Sequence, residues 1–265
     1  LDELQRDGRV TEVIYCDIDG KKFKKLRREF PNRRFLKIKD RKNPTAIVPQ
    51  LEAAKMLGRN VLVLNCTATA FHVSYARALD GLVGHIAIEK PIAFSAEEGR
   101  LLLEMSTPVS AIEHQIYKRE VFDLCRGTRA ETFDWRLVES ASFCMFEKGE
   151  VGDREIDHQA ADTGYHGLAA MLAPLSAQFG DLEIVVQGGE CSTYINGPDH
   201  PRQPTAALFW GHLVANPRDE DALSIPFTIE VAKGVPESRK ELHLSLSDGS
   251  LEVVTLNESG HLAHK

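Results

Sequence analysis

Asp162 and His166 stand four residues apart in DTGYH, a spacing that puts two side chains on one helix face within reach of each other. An imidazole titrates near neutrality, so it can take a hydroxyl proton while the adjoining carbon gives up hydride; a carboxylate beside it orients the ring and stabilises the imidazolium. Lys90, in HIAIEKPIAF, would act next to such a base as a point charge that steadies a developing alkoxide. It sits in Glu89-Lys90-Pro91, directly after an apolar run. Lys and Glu are almost never buried unpaired, so this pair at the carboxyl end of a strand marks a site facing a crevice. His114 and Lys118 are also four apart, and a helix starting there would present both toward one anion. A rival reading uses the first pair differently. His158, Asp162 and His166 recur every four residues with Asp157 adjacent, a pattern that could line up metal ligands for a hydrolase if a second element completed the set.

The elements that must position these residues follow from the apolar periodicity. EVIYCDI, VLVLNC, HIAI and PVSAIEH read as strands, VLVLNC as a continuous apolar strand of the fully buried kind. Between them, GKKFKKLRREF has Phe23, Leu26 and Phe30 at helical spacing, FHVSYARALDG is a helix stopped by Gly81, and Ser95 with Glu98 forms a capping box. Strand alternating with helix predicts a parallel sheet covered on both faces. After Glu113 the order changes: FDWRLVESASFCMF alternates, DTGYHGLAAMLAPLSAQF is helical, and strand then follows strand, with Asp248-Gly249 as a hairpin turn. The expected fold is therefore an α/β parallel-sheet domain over 1–113, followed over 114–265 by an α+β domain with a mostly antiparallel sheet.

Ligands of open parallel sheets sit outside the carboxyl ends of the strands. That rule gathers Asp17, Cys66-Thr67, Glu89-Lys90-Pro91 and Glu113-His114, and Asp17 stands where an acid hydrogen-bonds the ribose hydroxyls of a dinucleotide. Such a carboxylate favours NAD by repelling a 2′-phosphate, while Lys21 and Lys22 beside it leave NADP open.

Composition narrows the class. The chain has 265 residues, 43% hydrophobic and 27% charged, with net charge −7, enough for two modest cores. Between Lys21 and Lys42 twelve basic residues face only Glu29 and Asp40, which reads as a solvated helix face plus an exposed loop. Base-reading aromatic partners beyond Phe23, Phe30 and Phe35 are lacking, so no nucleic-acid partner is expected. No apolar run reaches membrane-spanning length, and no membrane partner is expected. Five cysteines without a C-x-x-C pair argue against a disulfide framework or zinc ribbon and fit a reducing cytoplasm.

IEKP after a buried strand, with CTATAFH before it and DTGYH later, resembles the glucose-fructose oxidoreductase and inositol dehydrogenase family (Gfo/Idh/MocA). AIEHQIYKRE and IPFTIEVAKGVPESRKELHL are similar to two segments of the glucose-6-phosphate dehydrogenases. The resemblance implies a Rossmann domain followed by a substrate domain, an NAD(P) cofactor, a sugar or sugar-phosphate substrate, a homo-oligomer (dimer or tetramer) and no catalytic metal. It implies catalytic roles for Lys90, Asp162 and His166, with Lys90 aimed by a cis bond to Pro91. Asp17, Thr67, His72, Glu89 and Lys90 would hold the cofactor, His72 near the nicotinamide. His114 and Lys118 would hold a phosphate; Glu139 and Lys233 would bind sugar hydroxyls, with Arg239 beside them one residue out of register. The family's first strand and glycine-rich phosphate loop have no counterpart before Asp17 and are expected upstream of Leu1; a binding or regulatory protein without catalysis is the alternative.

Overall fold

A computed structural model describes residues 5–40, 43–126, 133–148, 159–192, 206–219 and 221–256. The chain divides into two units, Leu1–Ile112 and Glu113–Lys265.

In the first unit, β1 (Ile14–Asp17) leads through α1 (Gly20–Glu29) into β2 (Arg34–Lys37), and the two strands pair in parallel. Asp19 caps α1 by accepting from Lys21 N–H; Phe23 is the residue this helix buries, and its Lys/Arg face is left to solvent. A short helix, α2 (Val48–Ala53), then leads to β3 (Gly58–Asn65), α3 (His72–Ala78), β4 (Val83–Glu89), α4 (Ala96–Leu103) and β5 (Val109–Ile112). These three strands form a second parallel sheet in the order β3-β4-β5. Ser95 caps α4 by accepting from Glu98 N–H at 3.1 Å, as the capping box requires. One core, built from Ile38, Ile47, Leu51, Val73, Leu79, Ile86, Ile88 and Leu102, serves both sheets.

β3 departs from the expected burial. Val61 and Val63 pack against the core, but Leu62 and Leu64 on the opposite face are 57% and 46% exposed. Among the described residues β3 pairs only with β4. An apolar run on a parallel strand is buried on both sides only when both faces are covered.

The second unit contains α5 (Arg119–Arg126), β6 (Val138–Lys148), α6 (Gln159–Phe179) and five more strands: β7 (Leu182–Ser192), β8 (Ala206–Ala215), β9 (Leu223–Val235), β10 (Arg239–Leu246) and β11 (Leu251–Thr255). They form one sheet ordered β11-β10-β6-β9-β8-β7, antiparallel except for the β6–β9 pair. Strand alternation sends Phe143, Met145, Phe227, Ile229, Val231, Leu242 and Leu244 to one face, where Ala170, Met171 and Leu175 of α6 cover them. Gly167 seats the helix, since a Cβ there would lie 2.6 Å from Phe143 Cδ1. Asp248-Gly249 turns β10 into β11, with Gly249 at φ +80° and Asp248 Oδ1 accepting from Ser250 N–H. Among the described residues no helix is long and apolar enough to cross a membrane.

Candidate active site

His166 lies in α6 and is 1% exposed. Its Nδ1 is 2.9 and 2.8 Å from the two carboxylate oxygens of Glu113, also buried, and Gln115 N–H donates to Glu113 Oε1 at 2.7 Å. A carboxylate only accepts, so Nδ1 carries a proton, and in the neutral ring Nε2 then holds the lone pair a general base needs. Burial pushes the Glu113 carboxyl upward. The hydrogen bond from His166, the charge of that ring and the Gln115 N–H outweigh it, and the group is held below the usual carboxylate range. His114, with a side chain 59% exposed, stands edge-on to His166 with ring centroids 4.8 Å apart, and its Nε2 lies 2.8 Å from the Gln115 amide nitrogen.

The sequence pairs His166 with Asp162. Asp162 does lie one turn before His166 in α6, but its side chain is outside the described residues, as are His158 and Asp157 entirely. The carboxylate seen on the imidazole is that of Glu113, 53 positions away. The signal for it was its place as an acid at the carboxyl end of the SAIEH strand.

His114 and Lys118 do not begin a helix. Glu113 pins a tight turn through Gln115 N–H; a 3-10 turn (Gln115–Tyr117) follows, and Lys118 is extended ahead of α5. Lys118 is only 8% exposed, with Nζ 3.5 Å from the Leu256 carbonyl oxygen. Lys233 is ion-paired with Glu147 at 3.5 Å, and Lys240 reaches the same carboxylate at 3.3 Å. Arg239 is on the other face of the sheet: it pairs with Phe146 while Lys240 pairs with Met145, and neighbours along a strand point opposite ways. Lys240, not Arg239, therefore stands beside Lys233. Glu139 is exposed near the start of β6.

In the first unit, the expected residues lie at strand ends. Asp17 closes β1, with Oδ1 accepting from Asp19 N–H at 2.8 Å and Oδ2 paired with Lys22 Nζ at 3.2 Å. Glu89 closes β4, and the Lys90-Pro91 bond is cis, as the resemblance implies. Buried Asn65, which sequence reasoning passed over, organises the turn after β3: its Oδ1 accepts from Thr67 Oγ1 at 2.8 Å and its amide donates to the His72 carbonyl at 3.0 Å. His72 is buried. Its ring nitrogens each lie 2.9 Å from a backbone carbonyl oxygen, Nδ1 from Pro91 and Nε2 from Thr67, so the side chain ties the turn after β3 to that after β4.

The fold is similar to several solved dehydrogenases. GenD2 from gentamicin A biosynthesis, in complex with NAD, matches with TM-score 0.66 and 16% identity over 97% of this chain and 68% of its own. Myo-inositol dehydrogenase from Lactobacillus casei, in complex with NAD(H) and myo-inositol, gives 0.66 and 12% over 96% and 68%. Glucose-6-phosphate 1-dehydrogenase from Mycobacterium avium gives 0.61 and 14% over 96% and 73%. No family model matches the chain, and no curated protein matches it in sequence. At such identities the likeness establishes architecture: the chain has a Rossmann-like parallel-sheet unit followed by a mixed, mostly antiparallel one.

Proposed function

We propose that the protein is an NAD(P)-dependent oxidoreductase that moves hydride between nicotinamide and a CH–OH carbon of a sugar or cyclitol, with a phosphorylated sugar preferred. The observation that carries this reading is the Glu113–His166 dyad: a buried carboxylate on Nδ1 leaves Nε2 as proton acceptor. In the oxidative direction His166 takes the hydroxyl proton, and Glu113 holds the ring and stabilises the imidazolium. Lys90 is assigned the ammonium that steadies the alkoxide, and Asp162 a supporting role one turn before the base. The cofactor, when bound, supplies the hydride acceptor. Asp17 fits it, as a carboxylate at the end of a parallel strand suited to ribose hydroxyls, with Thr67 and Glu89 at neighbouring strand ends. The Lys22 ion pair on Asp17 lessens the repulsion of a 2′-phosphate, so both NAD and NADP belong in the assay. His114 and Lys118, in the turn after the dyad carboxylate, are assigned to the phosphate, and Glu139 and Lys233 to sugar hydroxyls.

The test is turnover of the full chain with NAD+ and NADP+ against matched free and phosphorylated sugars and cyclitols. His166→Ala is expected to lose about 10²- to 10⁴-fold in kcat while nicotinamide-nucleotide binding, read by NADH fluorescence, stays within a factor of two. Wild-type turnover in that variant would remove the base. His114→Ala is expected to reduce kcat/KM more for phosphorylated than for free sugar; equal losses would remove the phosphate preference.

One observation favours a second reading. Glu113, His114 and His166 present donor atoms within 4.8 Å of one another, a set that could hold a catalytic metal in a hydrolase. Stoichiometric metal in the active protein, with hydrolysis abolished by chelation, would select it.

A further inference from the structure

The face of the six-stranded sheet turned away from α6 carries a second cluster of donor groups. Cys144 on β6 lies directly opposite Glu241 on β10, and His243 is two residues further along the same strand, so all three side chains leave the same face. The Cys144 sulfur, a Glu241 carboxylate oxygen and a His243 ring nitrogen lie within 4.8 Å of one another. His243 Nε2 is 2.7 Å from Glu241 Oε2. All three stand on adjacent strands of a continuous ladder rather than on loops, so their spacing is set by the sheet.

We propose that Cys144, Glu241 and His243 form a binding site for a divalent ion of the zinc class, separate from the dyad. The donor types select the ion: thiolate with imidazole suits zinc or cobalt, whereas magnesium and calcium demand oxygen ligands. Two carboxylates flank Cys144 in the ladder, Glu241 and, from β9, Glu230, against one cation, Arg239. Negative neighbours oppose a bare thiolate and favour one that carries a dication. On binding, the thiol releases its proton to solvent and sulfur bonds to the metal, with no change in oxidation state. Three protein ligands leave a fourth position for water. The competitor is Arg239, whose Nη2 lies 2.6 Å from Glu241 Oε2 and 3.5 Å from His243 Nε2. Its side chain is half exposed, so it can release Glu241 and remain solvated.

The experiment titrates the chelator-stripped full chain with Co2+ and follows the near-ultraviolet thiolate-to-cobalt charge-transfer band. One equivalent is expected to raise the band to saturation, and zinc to bleach it. Cys144→Ala, and Cys144→Ser as a second replacement of similar size, are expected to abolish it; Glu241→Gln and His243→Ala should each weaken cobalt binding at least tenfold. Arg239→Ala should tighten binding, because the competing cation is gone. Glu113, His114 and His166 contain no sulfur and cannot produce the band. Its absence in the wild-type chain at millimolar Co2+, its survival in both Cys144 variants, or weaker binding in Arg239→Ala would each overturn the proposal.

Discussion

The two units manage their sheets in opposite ways. In the first, the five parallel strands among the described residues are split into a pair and a triplet, and one face of β3 shows Leu62 and Leu64 to solvent. In the second, six strands run in one ladder whose inner face is sealed by α6 over Phe143, Ile229 and Leu242. The candidate residues differ accordingly. Asp17, Thr67, Glu89 and Lys90 depend on the local turn after each strand, whereas the dyad joins Glu113, the first residue of the second unit, to a helix residue 53 positions on. Local turns can be arranged by one neighbour; a buried dyad needs the whole unit.

The β3–β4 pair of the first unit and the β7–β8 pair of the second each contain a register slip beside a glycine, and these two positions can break the comparison. A Cβ on Gly211 would lie 2.0 Å from the Val185 carbonyl oxygen, and one on Gly84 would lie 1.8 Å from that of Arg59. Gly211 lies in mid-ladder, with β7 paired on both sides of the slip from Leu182 to Ser192, so β7 cannot retreat locally. Arg59 is the second residue of β3, held between a single pair, Gly58 with Val83, and the regular pairing that starts at Leu62, so fewer ladder bonds must give there. Gly211→Ala is therefore expected to cost about 3 kcal/mol or more, and Gly84→Ala about 1–2 kcal/mol. Both tryptophans, Trp135 and Trp210, belong to the second unit. Denaturant unfolding followed by tryptophan emission should then shift strongly for Gly211→Ala and little for Gly84→Ala, whose loss should appear in circular dichroism. Equal emission shifts would show that the β3 edge does not yield.

The dyad gives the next effect. Glu113→Gln keeps the shape of the carboxylate but can neither hold Nδ1–H as firmly nor stabilise an imidazolium, so kcat is expected to fall about 10²-fold. A kcat within threefold of wild type would mean that Asp162, rather than Glu113, orients the base in turnover.

How much of this was legible in the sequence depended on the range of the contact. The Ser95 cap, the Asp248-Gly249 hairpin and the alternation of β6 rest on signals within a few residues. The Glu113 partnership does not: i, i+4 spacing drew attention to Asp162, while the acid on the imidazole comes from another element. Arg239 lies on the other face from Lys233 for a different reason. Period-two parity fixes which residues share a face within one strand, but it cannot be counted through the turn joining β9 to β10, and one residue of offset put Lys240 where Arg239 was expected. Leu62 and Leu64 were misread because an apolar run reports what a strand could bury, and burial also requires something to cover it.

His72 tests the first unit at a smaller scale. Its ring joins the Thr67 and Pro91 carbonyls, and a neutral imidazole can donate to only one of them at a time. His72→Ala removes a buried side chain and its bonds, for an expected loss of about 2 kcal/mol. The loss should appear in circular dichroism and in weaker nicotinamide-nucleotide binding, since both strand-end turns lose their tie, while tryptophan emission changes little. A variant as stable as wild type would show that Asn65 alone holds the turn.

The smallest effect concerns the join between α6 and β6. Asp134 Oδ1 accepts from Gln178 Nε2 at 2.8 Å and from Arg136 N–H at 3.0 Å, and the side-chain Oε1 of Gln178 accepts from Trp135 N–H. Hydrogen bonds from Arg136 and then Gln178 outweigh the opposing effect of burial and draw the Asp134 carboxyl from 3.8 down to about 2. A carboxyl depressed in the folded state adds stability that is fully present above its ordinary value and is lost as pH falls through the folded one. Asp134→Asn should therefore cost about 1 kcal/mol at neutral pH and flatten the fall in stability between pH 3.8 and about 2. Glu113 is lowered with the same sign, so the acid-sensitive limb should narrow without disappearing. Tryptophan emission against pH reads this directly, because Trp135 is the next residue; superimposable acid limbs in the two proteins would mean that the cap contributes nothing to holding the helix on the sheet.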